Sequence, residues 1–148
     1  MNNPIKLAGL AAITLLSIQA NAKTFYADVH LTHLQPTVSE ATWVRTKQVT
    51  PRYPLELAKS GTAGCGVFKL TINEQGKTEA IELVSSIPKR AVKRPATKVI
   101  KQWDWQLVAG KTPVAEEKLI RLDFCMGGST LEEAKARCVA QSKMACSG

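Results

Sequence analysis

The stretch from Cys65 to Ser85 leaves the backbone less choice than any other part of this chain. Phe68, Leu70 and Ile72 alternate with Val67, Lys69 and Thr71, the two-residue period of a strand with one buried face. Asn73-Glu74-Gln75-Gly76 supplies turn residues, and Lys77 to Ser85 returns as a second strand with Ile81 and Leu83 on one side. Two alternating runs about a short polar turn make an antiparallel hairpin.

The flanks extend this unit. Pro54 to Lys59 reads as a short helix, with Pro54 preset for its first turn and Gly61 able to take the left-handed conformation that stops it. Two prolines interrupt the stretch around Pro88 to Arg94, so the next helix is expected from Pro95 to Trp103. Ala96, Val99, Ile100 and Trp103 form its apolar stripe. Lys118 to Cys125 alternates again, with Ile120, Leu122 and Phe124 on one face and Leu119, Arg121, Asp123 and Cys125 on the other. Gly127-Gly128 ends this third strand. Thr130, with Glu133 three residues on, forms a capping box that opens a terminal helix. Ahead of all this, Phe25, Ala27, Val29 and Leu31 alternate with polar neighbours and suit a strand, and Thr42 to Val49 suits a second extended piece.

Strand two, helix and strand three form a crossover unit, which makes those two strands parallel and puts the helix on one face. Strand one, antiparallel to strand two, then sits between them in the order two, one, three. The expected fold is α+β: a three-stranded antiparallel or mixed sheet with helices on one face and an extra C-terminal helix. The expected divisions are 1–22 as a signal, 23–50 as an N-terminal extension, 51–126 as the domain and 127–148 as a helical, cysteine-containing extension.

The spacing of Tyr53-Pro54, Ala58, Gly61, Gly64, Gly76, Ser85-Ser86 and Trp103, continued through the last strand to Cys125, resembles the TonB C-terminal domain. The resemblance implies a periplasmic module that grips outer-membrane transporters. In that family the strand matching Lys118 to Phe124 pairs with a short transporter segment, and the segment around Tyr53-Pro54 lies near the partner. It therefore implies partner-binding roles for Tyr53, Pro54, Lys118, Leu119, Ile120, Arg121, Leu122, Asp123 and Phe124. From the residues alone, Tyr53-Pro54 also reads as a rigid lead-in to the first helix. Lys118, Arg121 and Asp123 also read as charges that discourage edge-to-edge aggregation. A membrane anchor and a proline-rich spacer, usual in the energy-transducing family, are not expected.

The first 22 residues read as an export signal: Lys6, an apolar run from Leu7 to Ile18, and Ala20-Asn21-Ala22 as a cleavage triplet. The run falls short of the roughly 20 residues that span a bilayer. The mature chain is expected to begin at Lys23 in the periplasm; an uncleaved signal would leave it anchored to the inner membrane. In an oxidising compartment the four cysteines, Cys65, Cys125, Cys138 and Cys146, are expected in disulfides. Cys65 and Cys125 sit at adjoining ends of neighbouring strands and share a face, so the expected bridge joins them. Cys138 and Cys146 would then pair, although a continuous helix holds them about 12 Å apart, beyond the roughly 7 Å limit for bridged alpha carbons. That pairing requires the chain to reverse near Ser142. The alternative ties both terminal cysteines to Cys65 and Cys125.

No catalytic constellation emerges. There are two histidines, His30 and His33, and the serines show no nucleophile elbow. Glu116-Glu117 and Glu132-Glu133 read as solvated charge. Neither a cofactor nor a metal site is expected, because no Cys-x-x-Cys pair exists. The formal net charge of +8 favours anionic surroundings. Lys89, Arg90, Lys93, Arg94, Lys98 and Lys101 form a basic run that reads either as an anionic docking patch or as an ordinary solvated face. Export argues against nucleic acid and leaves at most peripheral membrane contact. The leading reading is a non-enzymatic domain that binds protein by strand addition, with outer-membrane receptor segments as candidate partners. Two rivals remain, an envelope assembly factor of the TolA type and a secreted disulfide-bonded effector or inhibitor.

Overall fold

A computed structural model describes residues 24–147. The expected signal segment lies outside them. The elements are β1 (Ala27–Gln35), β2 (Trp43–Arg45), α1 (Leu55–Lys59), β3 (Gly64–Ile72), β4 (Thr78–Ile87), α2 (Lys93–Ile100), β5 (Trp105–Leu107), β6 (Glu116–Met126) and α3 (Leu131–Ser142). No helix among the described residues is long and apolar enough to cross a membrane.

The fold is the expected α+β type. The hairpin β3–β4 and the strand β6 stand in the order β4, β3, β6, with β3 antiparallel to both neighbours. At Gly76 the turn backbone has φ +70°, and an added Cβ would lie 2.8 Å from the Trp43 ring, so both conformation and space demand glycine. A fourth strand completes the sheet: β1 pairs antiparallel with β6 along its length, giving the order β1, β6, β3, β4. β2 and β5 pair separately as a small two-stranded sheet.

Parity sorts the residues as their alternation requires. Phe68, Leu70, Ile72, Ile120, Leu122 and Phe124 are fully buried on one face, packed with Leu57 of α1 and with Ala96 and Ile100 of α2. Trp43 and Trp105, from the small sheet, close the same core. α2 begins two residues earlier than expected, at Lys93, and ends at Ile100. Pro95 is tolerated there because first-turn N–H groups have no intrahelical acceptor to lose. Trp103, just past the helix, packs against the core and is partly buried.

α3 lies on the opposite face. Thr130 caps it by accepting from the Glu133 N–H at 3.2 Å, while the Glu133 carboxylate reaches back to the Ser129 N–H at 2.6 Å. The helix stops at Ser142, as a reversal there requires, but the cysteines pair differently from the expected bridge. Cys65 bonds to Cys146 and Cys125 to Cys138, with alpha carbons 5.9 and 5.3 Å apart. The register gives the reason: Cys65 stands opposite Asp123, two residues short of Cys125. Diagonal partners in a sheet are roughly 7–8 Å apart, too far for a bridge. Both bridges tie α3 and its tail to the sheet.

Candidate partner-binding surface

The strand expected to offer an open edge is internal. β6 is hydrogen-bonded to β3 on one side and to β1 on the other, so its backbone donors and acceptors are already paired. Its charges are not solvated either. Lys118, Arg121 and Asp123 are all buried. Arg121 forks onto Asp123, with Nε and one terminal nitrogen donating at 2.8 Å, and its other donors reach the carbonyls of Met144 at 2.6 Å and Gln141 at 2.9 Å. The pair thus fixes α3 and the tail that follows it to the sheet. Lys118 pairs with Glu116 at 2.7 Å and sits 5.4 Å from the centre of the Trp105 ring. Glu116, expected in solvent, also accepts from the backbone N–H groups of Thr42 and Trp43 at 2.7 and 3.1 Å. Burial pushes its carboxyl up, but the Lys118 and backbone hydrogen bonds outweigh burial and hold it below the usual carboxylate value. Leu119 is half-buried between the neighbouring strands, and Ile120, Leu122 and Phe124 belong to the core.

Tyr53 is half-buried. Its ring meets Phe124 edge-on at 6.0 Å and its hydroxyl donates to the Thr62 carbonyl at 2.6 Å. Burial raises the phenol to about 12. Pro54 precedes α1 with extended backbone. The basic residues Lys89, Arg90, Lys93, Arg94, Lys98 and Lys101 are all exposed, and Lys98 pairs with Glu56.

With β6 enclosed, the sheet ends at β4 and β1, and these edges differ. Along β4 the register slips twice, leaving Val84 and Glu79 without partners on β3. Such bulges twist and interrupt an edge, which discourages further pairing. β1 keeps an unbroken register with β6 from Ala27 to His33, and the first slip comes at Leu34. The Gly127 N–H donates to the Tyr26 carbonyl at 2.8 Å, so the alternation of an antiparallel ladder turns the backbone of residues 26, 28, 30 and 32 toward β6. The N–H and C=O groups of Ala27, Val29, Leu31 and His33 therefore point outward. A cavity of about 480 Å³ follows this edge, walled by Gln48, Val49 and Pro51 opposite the strand and by Lys135 and Val139 of α3. His33 lies on this edge. Desolvation, followed by the charges of Lys118 and Arg45, keeps its imidazole below the ordinary value of 6.5.

Sequence reasoning found the Ala27 to Leu31 alternation but gave it no place in the sheet. Arg45 gives no signal in sequence, since a lone arginine in a short strand carries no periodicity.

Protein TonB of Vibrio cholerae serotype O1 is 30% identical over 95 residues, which are 64% of this chain and 39% of that protein. The chain thus spans well under half the length of that relative. A solution NMR structure of the Pseudomonas aeruginosa TonB CTD is 22% identical, with a TM-score of 0.42 over 61% of this chain and 87% of that one. The family pattern described as the Gram-negative bacterial TonB protein C-terminal matches residues 49–126, and the chain belongs to that family.

Proposed function

We propose that this protein is a non-enzymatic periplasmic domain that binds a partner protein by adding an extended partner segment to β1. Segments of outer-membrane receptors are the partner class that family membership favours. The observation that carries the reading is the β1 edge, regular from Ala27 to His33, with outward backbone groups beside a cavity. Main-chain hydrogen bonds give such additions their affinity, and side-chain pockets give them their selectivity. β6 then acts as the strand on which β1 is laid, and Val49 to Pro51, just ahead of Tyr53-Pro54, line the cavity beside it. Envelope targeting rests on the Ala20-Asn21-Ala22 triplet, and amino-terminal sequencing of envelope material is expected to begin at Lys23.

Amide exchange followed by NMR tests the site. In the free protein the Val29 and Leu31 amides should exchange faster than those of β6, and a bound receptor segment should slow both. Protection gained at Thr78–Ile87 instead would move the site to the other edge. Loss of protection throughout Ala27–Gln35 on binding would mean that the partner displaces β1 and pairs with β6. Capture of assembly components rather than receptors from periplasmic extract would favour the TolA-type rival, and recovery of the mature protein from the medium would favour a secreted effector.

A further inference from the structure

Arg45 is 7% exposed, and no carboxylate among the described residues forms an ion pair with it. A guanidinium carries five N–H donors. Here two of its nitrogens share a single acceptor, the Val49 carbonyl, at 3.3 Å each, and Nε has none. The Trp103 ring lies against the guanidinium, 4.7 Å from its carbon to the ring centre. A buried cation so poorly satisfied is costly unless something else completes its shell. Arg45 also lines a second cavity, of about 420 Å³, on the side of the 47–52 segment that faces the end of α2. Lys47 and Arg52 add two exposed positive charges there, Asp104 is the one acid, and Val49, Val99 and Trp103 make its walls partly apolar.

We infer that this cavity binds a carboxylate carried on an apolar body, with Arg45 as its fork, Trp103 as its platform, and Lys47 and Arg52 drawing the anion in. A guanidinium beside an aromatic ring suits planar, two-pronged recognition of a carboxylate. The cavity shares Arg45, Val49, Thr50 and Pro51 with the one beside the β1 edge, but of the two only this one is lined by Lys47, Arg52 and Trp103, so the inference does not depend on strand addition. The carboxylate has two sources, a free organic acid or the terminus of a protein chain, and both present the same group to Arg45.

The test is titration of the oxidised, processed protein, followed by the Trp103 indole signal in NMR. The probes are 3-phenylpropanoate and its amide, and a short peptide ending in phenylalanine with a free or an amidated terminus. Each acid should saturate and bind at least about tenfold more tightly than its amide. A tighter peptide would identify a protein terminus as the ligand, and an equal or tighter small acid a free metabolite. Arg45→Gln should abolish the preference for acid over amide. Because that change removes a packed side chain, the exposed Lys47→Gln and Arg52→Gln variants provide an independent check and should weaken acid binding while leaving amide binding unchanged. Equal binding of acid and amide by the unmodified protein, or no saturation by either acid up to about 10 mM, would overturn the inference.

Discussion

The two faces of the sheet are held by different physics. One is an apolar core in which Phe68, Leu70, Ile72, Ile120, Leu122 and Phe124 meet α1, α2 and the small β2–β5 sheet. The other carries α3, which buries little beyond Ala134 and Cys138 and is held by two disulfides and the Arg121–Asp123 pair. A helix with so little apolar surface cannot hold itself in place by burial, since each buried side chain contributes only about 1.5–3 kcal/mol against the loss of chain entropy. Covalent and ionic attachment does that work instead. The first face should therefore determine whether the sheet folds, and the second whether α3 stays on it.

The largest effect should come from the apolar face. Phe124→Ala is expected to lower the free energy of unfolding by about 4–5 kcal/mol in denaturant titration. Equal loss from a substitution on the surface of α3 would erase the distinction between the faces. Next comes the Cys65–Cys146 bridge, which spans 81 residues, whereas Cys125–Cys138 spans 13. In the chain-entropy model, replacing both partners by serine should cost about 4.5 kcal/mol for the first bridge and about 3 for the second. Full reduction should free α3, seen as rapid amide exchange over 131–142, while β3, β4 and β6 stay protected. Collapse of the whole sheet on reduction would show that the second face supports the first.

Asp123→Ala should cost about 3 kcal/mol, because it leaves the Arg121 charge buried without its partner. If replacing both residues together by apolar ones restores stability, the pair serves orientation more than stability. The smallest effect belongs to His33, near the junction of the two sheets. Its folded pKa lies below the ordinary 6.5, so the unfolded chain takes up the proton first as pH falls. Stability is complete above about pH 6.5 and declines below it until the folded imidazole also protonates. His33→Gln should remove that part of the slope in melting temperatures measured from about pH 7.5 to about pH 5. An unchanged slope would mean that His33 is as solvated in the fold as in the unfolded chain.

The hairpin, the strand parities, the first helix and the capping of α3 were legible because each depends on neighbours a few residues away. Phe68, Leu70 and Ile72 announce a buried face wherever the strand is placed, and Thr130 with Glu133 announces a helix start whatever the helix packs against. The candidate site was less legible. Lys118, Arg121 and Asp123 look like edge charges in sequence, and nothing local says that β1 will pair beside them or that Gln141 and Met144 will supply carbonyls from above.

Local pattern by itself thus determined the hairpin, the long strands and the helices near their observed places, which face of each strand is apolar, and that all four cysteines form disulfides. Tertiary structure alone decided that β1 joins β6, that the free regular edge is Ala27–His33, that Arg45 is buried with too few acceptors, and which cysteines pair. The physical reason is range. Periodicity and capping are set within a turn or a few residues, whereas partner choice depends on register across distant strands, and an offset of two residues between Cys65 and Cys125 redirected both bridges to the terminal helix.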